Sequence, residues 1–106
     1  MGTLTYRSSL RFDIDDRPLA HLQVVIWSKL RRLEPFSFTE EAAASNGVGR
    51  VSVWLTPNVP LTFDYFSSKP PSLNRLWIEA LAKEASSPSG LVLVPEPRTR
   101  SPRGDG

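Results

Sequence analysis

The chain has 106 residues, of which 40% are apolar and 23% are charged, and such a chain is expected to form one globular domain. It contains no cysteine, which excludes disulfides and cysteine-ligated zinc, and no apolar run approaches the roughly 20 residues that span a bilayer. The N-terminus does not have the charged and apolar regions of a secretory signal, so we expect a cytoplasmic protein with no membrane partner.

The net charge of +2 is concentrated at the C-terminal end. From Arg98 onward the chain carries three of the thirteen Lys and Arg residues and one of the eleven Asp and Glu residues, which leaves ten of each sign before it. We therefore predict a single neutral domain over residues 1–97 and a disordered basic tail over residues 98–106. A neutral domain lacks the basic face that is typical of dedicated nucleic-acid-binding domains.

Two short strands are predicted at the N-terminus, over residues 3–6 and 9–14. In the second strand apolar and charged residues alternate with a period of two, so one of its faces is apolar. A helix is predicted next, over residues 17–33, because Pro18 suits the first turn and Asp16 is a suitable N-cap before it.

The predicted helix over residues 17–33 is the longest element and carries two apolar stripes. The first stripe should face the sheet, and its members are Leu19, Leu22, Ile26, Leu30 and Leu33. The second stripe consists of Ala20, Val24 and Trp27, and it needs a cover from either the second helix or a partner. His21 falls on the polar side of the helix.

Three further strands are predicted after the helix, over residues 36–40, 50–56 and 61–66. Each of them shows alternating apolar residues or a short aromatic run, and Asn46-Gly47 is the expected turn between the first two. In the last of them, Phe66 lies on the face opposite to the apolar set.

A second helix is predicted after Ser72, which is a suitable N-cap, and it should end at residues 86–90. A last strand follows at Leu91–Val94, which is apolar on both faces. The predicted order is β-β-α-β-β-β-α-β. We therefore predict an α+β two-layer sandwich, in which a mostly antiparallel sheet carries both helices on one face.

Several short segments are similar to the corresponding segments in a known group of sequences. They are Gly2–Tyr6, Asp15–Arg17, Leu19–Gln23, Pro57–Phe63, Pro70–Arg75, Trp77–Leu81 and Ser87–Pro97. Through them the chain resembles, over residues 1–97, a family of small uncharacterised actinobacterial proteins that share a domain of unknown function. Arg7 stands where glycine is usual in that family, so we expect the first turn to differ in type.

Sequences of this family often carry the label "ATP-dependent DNA ligase". Such ligases attack ATP with a lysine in a Lys-x-Asp-Gly motif, and none of the lysines here, Lys29, Lys69 and Lys83, is followed by that motif. The ligase label is therefore unsupported by the residues.

No arrangement of residues predicts a catalytic, metal or cofactor site. Asp13, Asp15 and Asp16 are interpreted as a solvated strand face and a helix cap, because no further carboxylate or histidine completes a metal site. His21 has no visible nucleophile partner and is interpreted as a hydrogen-bonding or surface histidine. We therefore expect no cofactor, and a small enzyme is the least supported of three candidate functions.

The other two candidate functions have more support. The first is a non-enzymatic interaction module that self-associates as a homodimer, because apolar side chains are left without a cover. Its predicted interface residues are Val24, Trp27, Trp54 and Phe66. The second is an accessory nucleic-acid-binding protein with weak, salt-sensitive phosphate contacts. Its predicted contact residues are Arg98, Arg100 and Arg103.

Overall fold

The computed structural model describes residues 1–41 and 49–98, with the backbone alone at Glu41. The helices are Asp16–Arg31 (α1) and Arg75–Ala85 (α2). The strands are Gly2–Tyr6 (β1), Leu10–Ile14 (β2), Phe36–Glu41 (β3), Arg50–Leu55 (β4), Leu61–Asp64 (β5) and Leu91–Val92 (β6). The predicted α+β class and the order β-β-α-β-β-β-α-β are confirmed.

The strands form two three-stranded sheets, whereas one sheet was expected. The first has the order β2-β1-β5 and is antiparallel, and the second has the order β4-β3-β6, with β6 parallel to β3. The connection between β4 and β5 contains Pro57 and Pro60, which have no N–H to donate, so neither strand extends through it as a paired strand.

The two sheets and the two helices share one core. Helix α1 packs against β1 and α2, while α2 packs against β3 and β6. Phe12 of β2 meets Phe38 of β3 edge-on, with ring centroids 5.6 Å apart, and both side chains are fully buried. The core therefore joins the first sheet to the second through side chains.

The first apolar stripe of α1 faces the core as predicted, except at its end. Leu19, Leu22 and Ile26 are fully buried, and Leu30 is half-buried. Leu33 is 73% exposed, because the helix ends at Arg31 and the chain then turns away with a positive φ at Leu33. The prediction was wrong for this residue.

The first hairpin turns through two residues in the left-handed region. Arg7 and Ser8 have φ values of 56° and 63°, and the Ser9 N–H donates to the Tyr6 carbonyl. This pair of positive φ values is the backbone of a type I′ turn, whose twist matches that of the flanking strands. For residues other than glycine this conformation costs about 1–2 kcal/mol, so Arg7 occupies a position that glycine would fill without strain.

The N-cap of α2 differs from the prediction. Asn74 is the cap, and its side-chain oxygen accepts a hydrogen bond from the Leu76 N–H at 3.0 Å. Ser72 was expected in this role, but the helix starts two residues later, and the Ser72 carbonyl accepts from Arg17 instead.

The last two predicted strands are shorter in the structure. The strand predicted over 61–66 ends at Asp64, and the one predicted over 91–94 ends at Val92. The Asn46-Gly47 turn and all of the basic tail except Arg98 lie outside the described residues. Within the part of the chain that the structure describes, no helix is long and apolar enough to cross a membrane.

Candidate interaction groove and the polar network beside it

A groove of about 640 Å³ runs along the outer face of α1. One wall is the helix itself, and it consists of Ala20, Gln23, Val24, Trp27, Ser28 and Arg31. The opposite wall is the chain that follows β5, and it consists of Tyr65, Ser67, Ser68, Pro70, Pro71 and Leu73. Most of these side chains are apolar or aromatic, so the groove can bind an apolar group.

The helical wall of the groove is the second apolar stripe predicted from the sequence. Val24 is 38% exposed and Trp27 is 47% exposed. The Trp27 ring meets Phe63 edge-on, with centroids 5.8 Å apart, so its inner side is packed while its outer side remains accessible. Of the two covers considered for this stripe, the second helix does not provide one at Trp27, because the lining opposite comes from residues 65–73.

Asp16 fixes the opposite wall of the groove. Its carboxylate oxygens accept hydrogen bonds from the backbone N–H groups of Phe66 and Ser67, each at 2.9 Å. These two bonds hold the pKa of Asp16 below its usual range. Asp16 was predicted to cap α1, but it lies inside the helix and ties a loop fifty residues away, while Asp15 stands at the N-cap without a side-chain cap bond.

A hydrogen bond joins the two walls. The Tyr65 hydroxyl donates to the side-chain oxygen of Gln23. Burial, together with the nearby charge of Asp16, raises the pKa of Tyr65 to about 12. Tyr65 is therefore protonated at neutral pH and remains a donor to Gln23.

The structure brings together some of the predicted interface residues and separates others. Val24 and Trp27 line the groove, and Phe66, which is 82% exposed, lies between two lining residues in the chain. Trp54 is 57% exposed but lies on β4 and does not line the groove. Among the predicted nucleic-acid contacts, Arg98 lies beside Asn74, while Arg100 and Arg103 lie outside the described residues.

A buried polar network lies at the N-terminal ends of both helices, and His21 is at its centre. Although it was assigned to the polar side of the helix, His21 is fully buried, and its ring lies 4.5 Å from that of Trp77. Its Nε2 lies 2.8 Å from the Asn74 backbone nitrogen, and its Nδ1 lies 2.7 Å from the Arg17 carbonyl oxygen.

The two backbone partners determine where the proton of His21 resides. Because a backbone N–H can only donate, Nε2 must accept from Asn74, and Nδ1 must carry the proton that it donates to the Arg17 carbonyl. Both ring nitrogens are thus engaged by backbone groups. In this arrangement His21 has no free nitrogen for a substrate or a metal ion. Its four-residue spacing from Val25, which is also buried, is the sequence signal that indicates a core position.

Glu96 anchors the C-terminal segment to both helices. Arg17 donates to its two carboxylate oxygens at 3.0 and 2.7 Å, and Asn74 donates to one of them at 2.9 Å. The hydrogen bonds from Arg17 and Asn74 lower the pKa of Glu96 to about 2. No local sequence pattern indicates that Glu96 has a partner seventy-nine residues away in the chain.

The anchoring of Glu96 predicts an acid-dependent loss of stability. The pKa of Glu96 is about 2 in the folded chain, whereas the ordinary value for a glutamate is 4.5. The contribution of the ionised Glu96 carboxylate to the free energy of unfolding is therefore complete above about pH 4.5 and is lost as the pH falls toward 2. We expect the free energy of unfolding of the wild type to fall more steeply over this window than that of Glu96→Gln. Urea denaturation at a series of pH values measures both slopes.

A matched control for this prediction is Glu79→Gln, which changes an exposed glutamate of α2 that makes no ion pair within the described residues. It should follow the wild-type pH dependence. Parallel curves for the wild type and Glu96→Gln would show that the Arg17–Glu96 pair does not contribute to folding.

Two results complete the description of the site. Among residues 1–41 and 49–98, no three His, Asp or Glu side chains are grouped so that they could hold a metal ion. No curated protein and no solved structure matches the chain.

A family model described as "Domain of unknown function (DUF7882)" matches residues 1–96. This match confirms the resemblance to an uncharacterised family and covers both walls of the groove as well as Arg17, His21, Asn74 and Glu96. The chain therefore belongs to the DUF7882 family, a domain of unknown function.

Proposed function

We propose that the chain is a non-enzymatic interaction module that self-associates through the groove on α1. The observation that carries this proposal is the position of Trp27, which is half-exposed on the wall of a concave, mostly apolar surface. Folded monomers rarely leave a large contiguous apolar patch in water. Tryptophan in an apolar pocket is also among the residues that contribute most to protein–protein binding.

The polar groups of the groove support binding rather than chemistry. Gln23 and Tyr65 are occupied by their bond to each other, and Arg31 is the one charged residue among the lining side chains that the structure describes. General acid–base catalysis needs a group that can give or take a proton near neutral pH, such as a histidine or a carboxylate with a raised pKa. Within residues 1–41 and 49–98, the lining of the groove includes neither.

Light scattering coupled to gel filtration tests the proposal. We expect the apparent mass of the wild type to rise above that of one chain with increasing concentration. Trp27→Ala should weaken this association by about tenfold or more, because it removes the aromatic anchor of the groove. Thermal unfolding of the variant should remain cooperative, since the side chain is only half-buried.

Trp54→Ala is the matched control, because Trp54 has a similar exposure but lies outside the groove. It should leave the association unchanged. A wild type that remains a monomer at all concentrations would contradict self-association, and a loss of association in Trp54→Ala alone would place the interface on β4.

Nucleic-acid binding by Arg98, Arg100 and Arg103 remains a prediction, supported by three arginines within six residues of a chain that is otherwise neutral. So few phosphate contacts would give weak binding that disappears as salt is raised. Retardation of labelled DNA over a salt series, compared with a variant in which all three arginines are alanine, tests it. The absence of any shift at the lowest salt would exclude this function.

A further inference from the structure

Phe66 is the most exposed of the large apolar side chains in the described part of the chain, at 82%. Its backbone is nevertheless held in place, because its own N–H and that of Ser67 donate to the two carboxylate oxygens of Asp16. The phenyl ring is thus presented to solvent on a fixed loop. An aromatic side chain on a backbone that is already held in place loses less conformational entropy on binding than one on a free loop, and it is suited to an interface.

The loop that carries the exposed ring also lines a groove of suitable character. Tyr65 and Ser67, the residues on either side of Phe66, both line the groove, and Trp27 lies on the wall opposite them. One surface of the molecule therefore carries both an apolar projection and an apolar recess. Such a surface is self-complementary across a two-fold axis, because each copy can supply the projection that the other copy accommodates.

The charges at this surface are also complementary. Arg31 lines the groove and is exposed, and it makes no ion pair within the described residues. Asp64 is exposed two residues before Phe66, and its carboxylate likewise has no ion-pair partner there. Among the described residues, the recess thus carries a positive charge without an ion-pair partner, and the strand that leads to the projection ends with a negative charge without one.

We propose that the groove is occupied by Phe66 of a second copy of the chain, whose Asp64 pairs with Arg31, in a reciprocal two-fold dimer. This inference rests on the proposed self-association and identifies the groups that make the contact. The apolar ring contributes most of the affinity, since aromatic anchors in apolar pockets dominate interface energetics. The charge pair sets the orientation and makes the association sensitive to salt.

Sedimentation equilibrium on charge-swapped variants tests the contact. Phe66→Ala should weaken dimerisation by about tenfold or more, because it removes the projection. Arg31→Glu and Asp64→Lys should each weaken it by about twofold to fivefold, as expected for an exposed ion pair. The double variant, Arg31→Glu with Asp64→Lys, should restore the affinity. All of these positions are exposed, so the variants should fold, which circular dichroism checks.

Mixing two defective variants provides a second test. Phe66→Ala retains an intact groove and Trp27→Ala retains an intact projection, so the mixture should form heterodimers with one complete contact. Their affinity should exceed that of either variant alone.

The outcomes separate this inference from the function on which it rests. A monomeric wild type would overturn both. A dimer that Trp27→Ala weakens and Phe66→Ala does not would overturn only the assignment of Phe66. Failure of the charge swap to restore affinity would overturn the Asp64–Arg31 pair, and a mass that keeps growing with concentration would overturn the reciprocal arrangement.

Discussion

Replacing His21 with alanine is expected to lower the free energy of unfolding by about 3–5 kcal/mol. The substitution leaves the buried Asn74 N–H without its hydrogen-bond partner and removes the side-chain bond to the Arg17 carbonyl, which keeps its bond within α1. An unsatisfied buried donor costs about 1–3 kcal/mol. The loss of the ring from its contact with Trp77 adds the cost of a cavity. Urea denaturation followed by circular dichroism measures the change.

His21→Phe separates the hydrogen bonds from the packing. Phenylalanine keeps a ring against Trp77 but has no nitrogen to accept from the Asn74 N–H, so we expect it to cost about 1–3 kcal/mol through this unpaired donor. A phenylalanine variant as stable as the wild type would show that packing, and not hydrogen bonding, is what His21 contributes. Gln23→Ala is a comparison on the same helix, at a half-buried position. It should lower the free energy of unfolding by less, because the bond that it loses, from the Tyr65 hydroxyl, is only part-buried.

The interpretation of His21 shows where sequence patterns stop being informative. The helix itself was predictable, because Leu19, Leu22 and Ile26 have helical spacing and face the core. His21 was assigned to the polar side of the helix and interpreted as a hydrogen-bonding or surface histidine, because its side chain is polar. Its burial depends on an acceptor and a donor at Arg17 and Asn74, and the second of these lies fifty-three residues away in the chain. A local pattern contains no information about such a partner.

The strand order shows the same limit. Each strand was recognisable from its own residues, and the α+β class followed from their order. The division into two sheets depends on which strands pair, and those pairings join residues as distant as Thr3 and Asp64. Pairing of this kind is decided by the whole core and not by the alternation within one strand.

One wall of the groove could be predicted from the sequence, and the opposite wall could not. Ala20, Val24 and Trp27 were recognisable as an apolar stripe without a cover, and they form one wall of the groove. The opposite wall was not, since its position depends on two hydrogen bonds to Asp16 from a loop that has no regular pattern. A carboxylate beside the first turn of a helix is a common capping signal. Asp16 was therefore interpreted as a cap, and its hydrogen bonds to the loop at Phe66 and Ser67 were missed.

Truncation of Phe12 to alanine is expected to lower the free energy of unfolding by about 3–5 kcal/mol, as is typical for a fully buried aromatic side chain. Phe12 belongs to the first sheet, and its edge-on partner Phe38 belongs to the second, so the loss affects both halves of the core. Since single domains are stable by only about 5–15 kcal/mol, Phe12→Ala should be marginally folded. Phe12→Leu is a milder change that should remain folded, so thermal and urea unfolding of this variant can measure the loss of stability.

A double-mutant cycle between Phe12→Leu and Phe38→Leu tests whether the two sheets fold as one unit. The rings meet at 82° with centroids 5.6 Å apart, a geometry for which we expect a coupling energy of about 0.5–1.5 kcal/mol. Phe12→Leu combined with Leu33→Ala should be additive, because Leu33 is exposed. Zero coupling together with two separate transitions would mean that the sheets are independent, whereas coupling with one shared transition would support the single domain predicted over residues 1–97.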